Sequence, residues 1–501
     1  MKNIFHTKSP RVFKAFLLLA CLGLISAYSI NTFTKSRHPV LGQTPLKEIE
    51  IMEDHKSALT HWLEKDIKNA VLINLDAHDD VKRLSDLKIQ KMRSLLAIEN
   101  KTPASSRYQE ITKIAANGNF IYAAVKLGII KELYWIVPSK LFQYPDREDQ
   151  LFTILKYYNF SDEEIHSFRM LEGCFRGQID DVSINMCGIE FLPSFQEPVI
   201  LSIDVDFAPM MADDYDEKIS TVVKQTFREL AARKYRIQDV VVAYSVNGGH
   251  LSSFHRWVGD MIIDLLNNPD MIASATMPER YNILQKAEQL RLMGRHNELL
   301  SYLFPILEKD IYNPSILMYL AYALKGMGAI DQSYNCAEKA CLCDKNYCYG
   351  LCELGCAIVQ ADGLAAAEKF YTRAYELNPD MAHGQFMLAQ ALKKAGRYDD
   401  AIKFYTIFQG DYGPFPADFY LGEAYLLKGD EQAAYGYFNS GSQELVNDPY
   451  VWSGFGDTGI IEQAIRFYEK KGAAKAAEGL RASLAMKDRY YTGRPHKMMQ
   501  Q

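Results

Sequence analysis

Val71-Leu72-Ile73-Asn74-Leu75-Asp76-Ala77-His78-Asp79-Asp80 joins an apolar run to a crowd of acids with an imidazole among them. The first five residues are too few for a helix of ordinary length and too apolar for a surface loop, which is how a strand buried on both faces of a parallel sheet reads. Four further stretches have the same character: Ile49–Met52, Leu133–Val137, Val199–Val205 and Val240–Val246. Helix-like segments lie between them, at Ser57–Ile67, Ile111–Leu127, Ile219–Arg233 and Phe254–Leu266. The alternation predicts an α/β domain over residues 48–268 with an open, doubly wound parallel sheet. Ligands of such sheets sit at the carboxyl ends of strands, so the residues that follow the apolar runs carry the chemistry.

Two other runs end as the first does. Val199–Ile203 leads to Asp204-Val205-Asp206, and Ile49–Met52 leads to Glu53-Asp54-His55. In an extended chain residues i and i+2 point the same way, so Asp76 sides with His78 and Asp204 with Asp206. One Asp-x-Asp at a strand end is usually a helix cap or a turn; three acidic clusters at strand ends of one domain predict more. Carboxylates gathered at one sheet edge repel by roughly several kcal/mol unless cations lie between them. Histidines among them add nitrogen ligands that suit a first-row metal better than calcium. The donor set predicts two divalent ions held by His55, Asp76, His78, Asp80, Asp204 and Asp206, with Asp76 and Asp204 bridging. Asp79, in the same cluster, and His250, after Val246-Asn247-Gly248-Gly249, are the candidate catalytic residues. An imidazole with a reference pKa of ~6.5 can hand a proton to a leaving amine. His250 reads equally as a helix-starting residue before Leu251-Ser252-Ser253.

Asp-Ala-His-x-Asp at 76–80 and Ser-x-Asp-x-Asp at 202–206 resemble the second and third metal motifs of the arginase/agmatinase ureohydrolases, which share their fold with histone deacetylases. The resemblance covers residues 48–268. It implies an arginase-like α/β/α fold and two Mn²⁺ ions, with Zn²⁺ or Fe²⁺ as alternatives. Asp76 and Asp204 would bridge, His55 and Asp80 would sit on one ion, and His78 and Asp206 on the other. Gly118-Asn119-Phe120-Ile121 is similar to the arginase Gly-Asn-Leu-His segment, with Ile121 in the place of the proton-shuttling histidine. Tyr244-Ser245-Val246-Asn247 is similar to the final-strand Glu-Val-Asn, with Ser245 where a glutamate would hold the guanidinium. Asn119 and Ser245 are thereby the implied substrate-binding residues. Together with Glu53-Asp54-His55, these departures make the chain look more like a little-characterised branch of the superfamily that includes peptide arginases. The implied activity is hydrolysis of a C–N bond, guanidino or amide, such as that of arginine side chains in peptides. The alternative is an interaction scaffold whose α/β domain binds metal, or is structural, without turnover.

Asn267-Asn268-Pro269 and Thr276-Met277-Pro278 punctuate a predicted linker over 269–280, after which strand signals stop. Leu320-Ala321-Tyr322-Ala323-Leu324 then recurs in form at Leu354, Leu388 and Leu421, at spacings of 34, 34 and 33 residues, with glycines at 328, 363, 396 and 429 after each block. The pattern resembles the tetratricopeptide repeat (TPR). It predicts an all-α solenoid over 281–450, with capping helices and a tail in 451–501. A solenoid groove presents an extended concave surface, so the predicted partner is a peptide or another protein. Six of the nine cysteines lie between Cys336 and Cys356. Cys348, Cys352 and Cys356 share one helix face, where packing or disulfide pairing is a better reading than a metal site. Cys174 and Cys187 lie on a glycine-containing insertion and would pair if the domain is exported.

At the N-terminus Lys2, Lys8, Arg11 and Lys14 precede an uncharged apolar run from Ala15 to Ile30. This predicts a signal peptide or membrane anchor over 1–30 and a tether over 31–47. The positive-inside rule then puts the remainder outside the cytoplasm, membrane-anchored or secreted, with a cytoplasmic chain as the alternative. With 501 residues the chain must divide into more than one domain. Its 56 basic against 62 acidic residues leave a net charge of −6, which argues against a nucleic-acid partner. A hydrophobic fraction of 48% excludes disorder as a whole-chain reading.

Overall fold

A computed structural model describes residues 48–98, 103–137, 152, 162–179, 182–212, 218–308, 312–447 and 458–491. The segment expected to be a signal or anchor, with its tether, lies outside the described residues. Among the described residues no helix is long and apolar enough to cross a membrane.

An N-terminal α/β region built on an eight-stranded sheet is followed by a helical-repeat region. Each apolar run of the sequence becomes a strand: β1 (Glu50–Met52), β2 (Ala70–Leu75), β3 (Ile130–Ile136), β7 (Val199–Asp204) and β8 (Ile237–Ala243). Three strands had no sequence signal, β4 (Arg169–Leu171), β5 (Cys174–Ile179) and β6 (Val182–Cys187). The sheet order is β1-β8-β7-β2-β3-β6-β5-β4, parallel through β6 and antiparallel at β5 and β4. Strands β2 and β7 are buried along their whole length, as their composition demands. Gly177, Arg176 and Gln178 interrupt β5, and an edge hairpin buries only part of its surface, so that segment reads as an insertion. Cys174 and Cys187 stand opposite each other in the β5–β6 register and are disulfide-bonded, with Cα atoms 4.4 Å apart.

Register positions the site. Leu75 pairs with Ile203, Asp204 with Ala243, and Ala243 with Met52. Four neighbouring parallel strands therefore finish level at one edge, and the acidic clusters that follow them converge. The predicted helix Ile111–Leu127 is broken into helices Ala104–Ile114 and Phe120–Lys126 around a 3₁₀ turn at Asn117–Asn119. Asn119 favours the break by capturing a local backbone donor, its Oδ1 accepting from Ala116 N–H at 2.7 Å, while Asn117 Oδ1 turns outward to accept from Lys56 N–H of another segment at 3.0 Å.

The C-terminal region stacks helical hairpins. Helices Pro314–Gly326, Cys348–Asp362, Ala382–Lys394 and Pro414–Lys428 each turn into a partner helix. Gly328, Gly363, Gly396 and Gly429 make those turns with φ between 76° and 93°, a backbone region costly to any residue with a Cβ. An earlier hairpin, Glu279–Leu292 with His296–Leu307, begins the stack, and Gly459–Lys470 with Ala474–Tyr491 ends the described part. Segment 269–280 contains a short helix, Asp270–Ala273, whose Ile272 is buried. Arg228 Nε donates to Ile272 O at 3.0 Å, and Lys224 Nζ donates to Ser274 O. It is pinned to the domain along its length. One sheet face (Val71, Ile73, Leu201, Val240) shares a continuous core with Trp257, Leu265, Tyr281 and Tyr319, so the α/β region and the array pack as one body. The other face (Leu72, Ile200, Val241) packs on Trp62 and Phe120.

A candidate metal centre at the carboxyl edge of the sheet

The edge brings two groups of donor atoms together: His55 with Asp76 and Asp204, and Asp76 with His78 and Asp206. His55 Nδ1 lies 3.1 Å from Asp76 Oδ2, 3.2 Å from Asp80 Oδ2 and 3.3 Å from Asp204 Oδ2. His78 Nδ1 lies 3.1 Å from Asp206 Oδ2 and 3.5 Å from Asp76 Oδ1. Asp76 therefore turns one oxygen to each group, as a bridging carboxylate would. Asp204 belongs to the first group alone, and its other oxygen accepts from Asp206 N–H at 3.3 Å.

The donor set fits divalent first-row ions. Ligands about 2.1 Å from such an ion and at right angles stand about 3 Å from one another, close to the spacings here. His55 Nδ1 and Asp206 Oδ2 are buried without a hydrogen-bond partner despite these close neighbours, so the atoms aim at common points and not at each other. Neighbours hold these donor side chains in place. With Nδ1 facing the carboxylates, His55 Nε2 carries the hydrogen and donates to Ser202 Oγ at 2.8 Å. Ser245 Oγ donates to Asp204 Oδ2 at 2.6 Å, Ala77 N–H to Asp206 Oδ1 at 3.1 Å, and Trp135 Nε1 to the Asp76 carbonyl at 3.0 Å.

Charge in the cluster is balanced by protons. Burial pushes Asp204 up to about 6, helped by the Asp206 charge, and pushes Asp80 well above the carboxylate range, helped by Asp76. Asp76 goes the other way: His55 and His78 more than offset its burial and hold it low. Burial alone would lower both imidazoles, but the carboxylates beside them outweigh it and raise both. A cation bound here displaces those protons.

The remaining expected residues divide. Asp79 is buried beside Lys82, away from both donor groups, and burial lifts it to about 7. Asn119 spends its side-chain oxygen on its own turn, and Asn117 instead reaches His250, Nδ2 to Nε2 at 3.5 Å. Ser245 holds Asp204: its hydroxyl is committed to that carboxylate and it is buried. Ile121 is sealed in the apolar core. His250 packs edge-on to His78 with ring centroids 5.9 Å apart, and burial together with the His78 charge lowers its pKa. His250 is exposed and the His78 side chain 41% exposed, so both imidazoles reach solvent. Sequence reasoning missed Glu53 and Ser202. Glu53 Oε1 accepts from Val246 and Asn247 N–H, both at 2.8 Å, which fixes the turn that carries His250. Ser202 lay within the quoted motif, yet serine in an apolar strand carries no signal of what it bonds.

Fold and site together define the class: an α/β domain with a buried carboxylate–imidazole centre at the carboxyl edge of its sheet, joined to a TPR-like helical array. No protein-family model matches the chain, and no curated protein does. Among solved structures it is similar to MamA, at 22% identity and a TM-score of 0.27, over 33% of this chain and 90% of that one. It is also similar to YrrB, described as a TPR protein with an unusual peptide-binding site (18% identity, 31% of this chain and 81% of that one, TM-score 0.25). A third is TTC0263, a thermophilic TPR protein of Thermus thermophilus (19% identity, 37% and 97% covered, TM-score 0.24).

Proposed function

We propose that the chain joins a peptide- or protein-binding helical array to a metal-dependent hydrolase of C–N bonds, acting on guanidino or amide groups such as arginine side chains in peptides. The convergence of His55, Asp76, His78, Asp204 and Asp206 donors onto two shared points carries this reading. These residues, with Asp80 beside them, would hold two divalent ions, Mn²⁺ first among the candidates. Ions bound there supply Lewis acidity, activating water and offsetting charge at the reacting carbon. The chain's own residues do the rest. Ser202 and Ser245 orient ligands, Glu53 holds the 246–247 backbone, and His250 stands on the solvent side of His78, placed to pass a proton to a departing amine. The basic-then-apolar N-terminus supports an extracytoplasmic setting, in which the Cys174–Cys187 bond persists.

A second reading, an interaction scaffold that holds metal without turnover, draws on two observations. Ile121 lies in the core and cannot carry a proton, and Ser245 is committed to Asp204 and leaves no carboxylate for a guanidinium. Metal analysis followed by urea release from arginine-containing peptides separates the two. Two ions per chain with urea produced establish the hydrolase. Bound metal with no product from peptides or small guanidines establishes the scaffold.

A further inference from the structure

The turn that carries His250 is held in two ways, and the helical array has a share in both. The first is a chain of polar contacts. Glu53 Oε1 accepts from Val246 and Asn247 N–H, and its Oε2 accepts from Arg256 Nη1 at 3.0 Å. Arg256 is buried, its guanidinium 3.9 Å from the centre of the Tyr244 ring, and its Nε lies 3.4 Å from Asp344 Oδ2. Asp344 belongs to the array, in the link between its second and third hairpins. That link is short and tied: a disulfide joins Cys341 to Cys348 across it, and Asp344 Oδ1 accepts from Asn346 N–H at 3.0 Å. The second is direct packing. A methyl group built on Gly249, whose φ is 78°, would stand 2.6 Å from the His383 ring and 2.9 Å from the Tyr349 hydroxyl, so array and turn touch with nothing between them. Within the turn Gly249 N–H donates to Val246 O at 2.9 Å and His250 N–H to Ser245 O at 3.2 Å. His250 therefore follows residues 245–247.

We propose that Arg256 and Asp344 are positioning residues for the turn that carries His250, so that the array serves the site by setting its geometry and not by touching substrate. What His250 does once positioned rests on the hydrolase reading above. A buried guanidinium must pair its donors, and its planar fork dictates where the partners stand. With the Tyr244 ring against its face and a carboxylate at each of two edges, Arg256 has one resting place, and Glu53 takes its aim from it. Glu53 serves three donors with two oxygens, two backbone amides on one and Arg256 on the other. Asp344 takes up part of what Arg256 demands. Without that carboxylate the cation leans wholly on Glu53, and the bonds to the Val246 and Asn247 amides loosen. Contacts that only docked the array would end at Arg256; these run on into the backbone of the turn. Glu444 of the fifth hairpin, 3.7 Å from Lys88 on helix Asp86–Ala97, is a contact of the docking kind and provides the control.

The test uses the full chain with Mn²⁺ added and reads amide hydrogen exchange by mass spectrometry over residues 244–251, with strand β7 as the internal reference. The Asp344 side chain is a third exposed, so Asp344→Asn spares the fold. It is expected to speed exchange over 244–251 about three- to tenfold, the weakening of one or two hydrogen bonds, with β7, melting temperature and metal content unchanged. Glu53→Ala is expected to speed the same segment at least as much, and the double variant no more than Glu53→Ala alone, because Asp344 acts through Glu53. Glu444→Gln is expected to leave the segment as it was. With arginine-containing peptides as probe, Asp344→Asn is expected to lower kcat for urea release about three- to tenfold at unchanged KM. Unchanged exchange in Asp344→Asn overturns the proposal, as do additive effects in the double variant or an unchanged kcat. The expected exchange pattern in a chain that releases no urea upholds the positioning role and overturns the hydrolase reading instead.

Discussion

Ser202 and His250 act on the same few ångströms in different ways, and the difference is measurable. Ser202 accepts from His55 Nε2 and is fully buried, so it sets the tautomer and aim of that imidazole without reaching solvent. Ser202→Ala leaves that N–H without a partner and is expected to weaken metal affinity about 10–100-fold, read by titration against a chelator. His250 lies outside both donor groups, so His250→Ala should leave two ions bound and lower turnover about 100-fold or more. A His250→Ala variant that loses metal would show that the imidazole is a ligand. One that turns over normally would remove it from proton transfer. At this scale the meeting of Asp76, His78, Asp204 and Asp206 at one edge was legible, because residue type and strand position sufficed for it. The sequence was opaque where the outcome hung on a side-chain bond. Asn119 and Asn117 stand two apart in one turn, and only their hydrogen bonds decide that Asn117 faces His250 while Asn119 closes the turn.

Among the elements, the buried parallel strands announced themselves because both faces are apolar, and the repeat did so because its spacing is fixed by hairpin geometry. The β4–β6 hairpin did not, since its strands mix polar residues and a glycine with the apolar ones. Its cysteines were the better clue. The Cys174–Cys187 bond closes a loop of 13 residues in sequence separation, and such a loop is worth about 3 kcal/mol against the unfolded chain. Cys187→Ala is therefore expected to lower stability to urea by about that amount under oxidising conditions, with no effect when both proteins are reduced. Non-reduced peptide mapping that finds these two cysteines unpaired would remove the premise. The Ile111–Leu127 prediction failed because apolar periodicity carried through a stretch in which Asn119 captures the Ala116 donor and Asn117 is drawn to the Lys56 N–H of another segment.

For the whole molecule, the docking of the array rests on a buried polar knot. Glu288, buried, holds His255 Nε2 and Arg291, both at 2.7 Å, and Tyr319 at 3.1 Å. Burial alone would raise its pKa, but the His255 charge and the Arg291 bond outweigh it and hold the carboxyl far below its ordinary 4.5. Because the folded-state value lies below the unfolded one, its contribution is fully present above about 4.5 and is lost as the pH falls through the folded value. Glu288→Gln is expected to cost about 3–5 kcal/mol at pH 7, by stranding Arg291, and to flatten the acid limb of the stability curve. An acid limb identical to that of the unaltered chain would show that other groups govern it.

The contact between Glu444 and Lys88 ties the fifth hairpin of the array to the helix that follows the Asp76–Asp80 loop, at 3.7 Å between partly exposed charges. Such a pair is screened by dissolved ions, so this far strut of the docking weakens as ionic strength rises, while the apolar core beneath it does not.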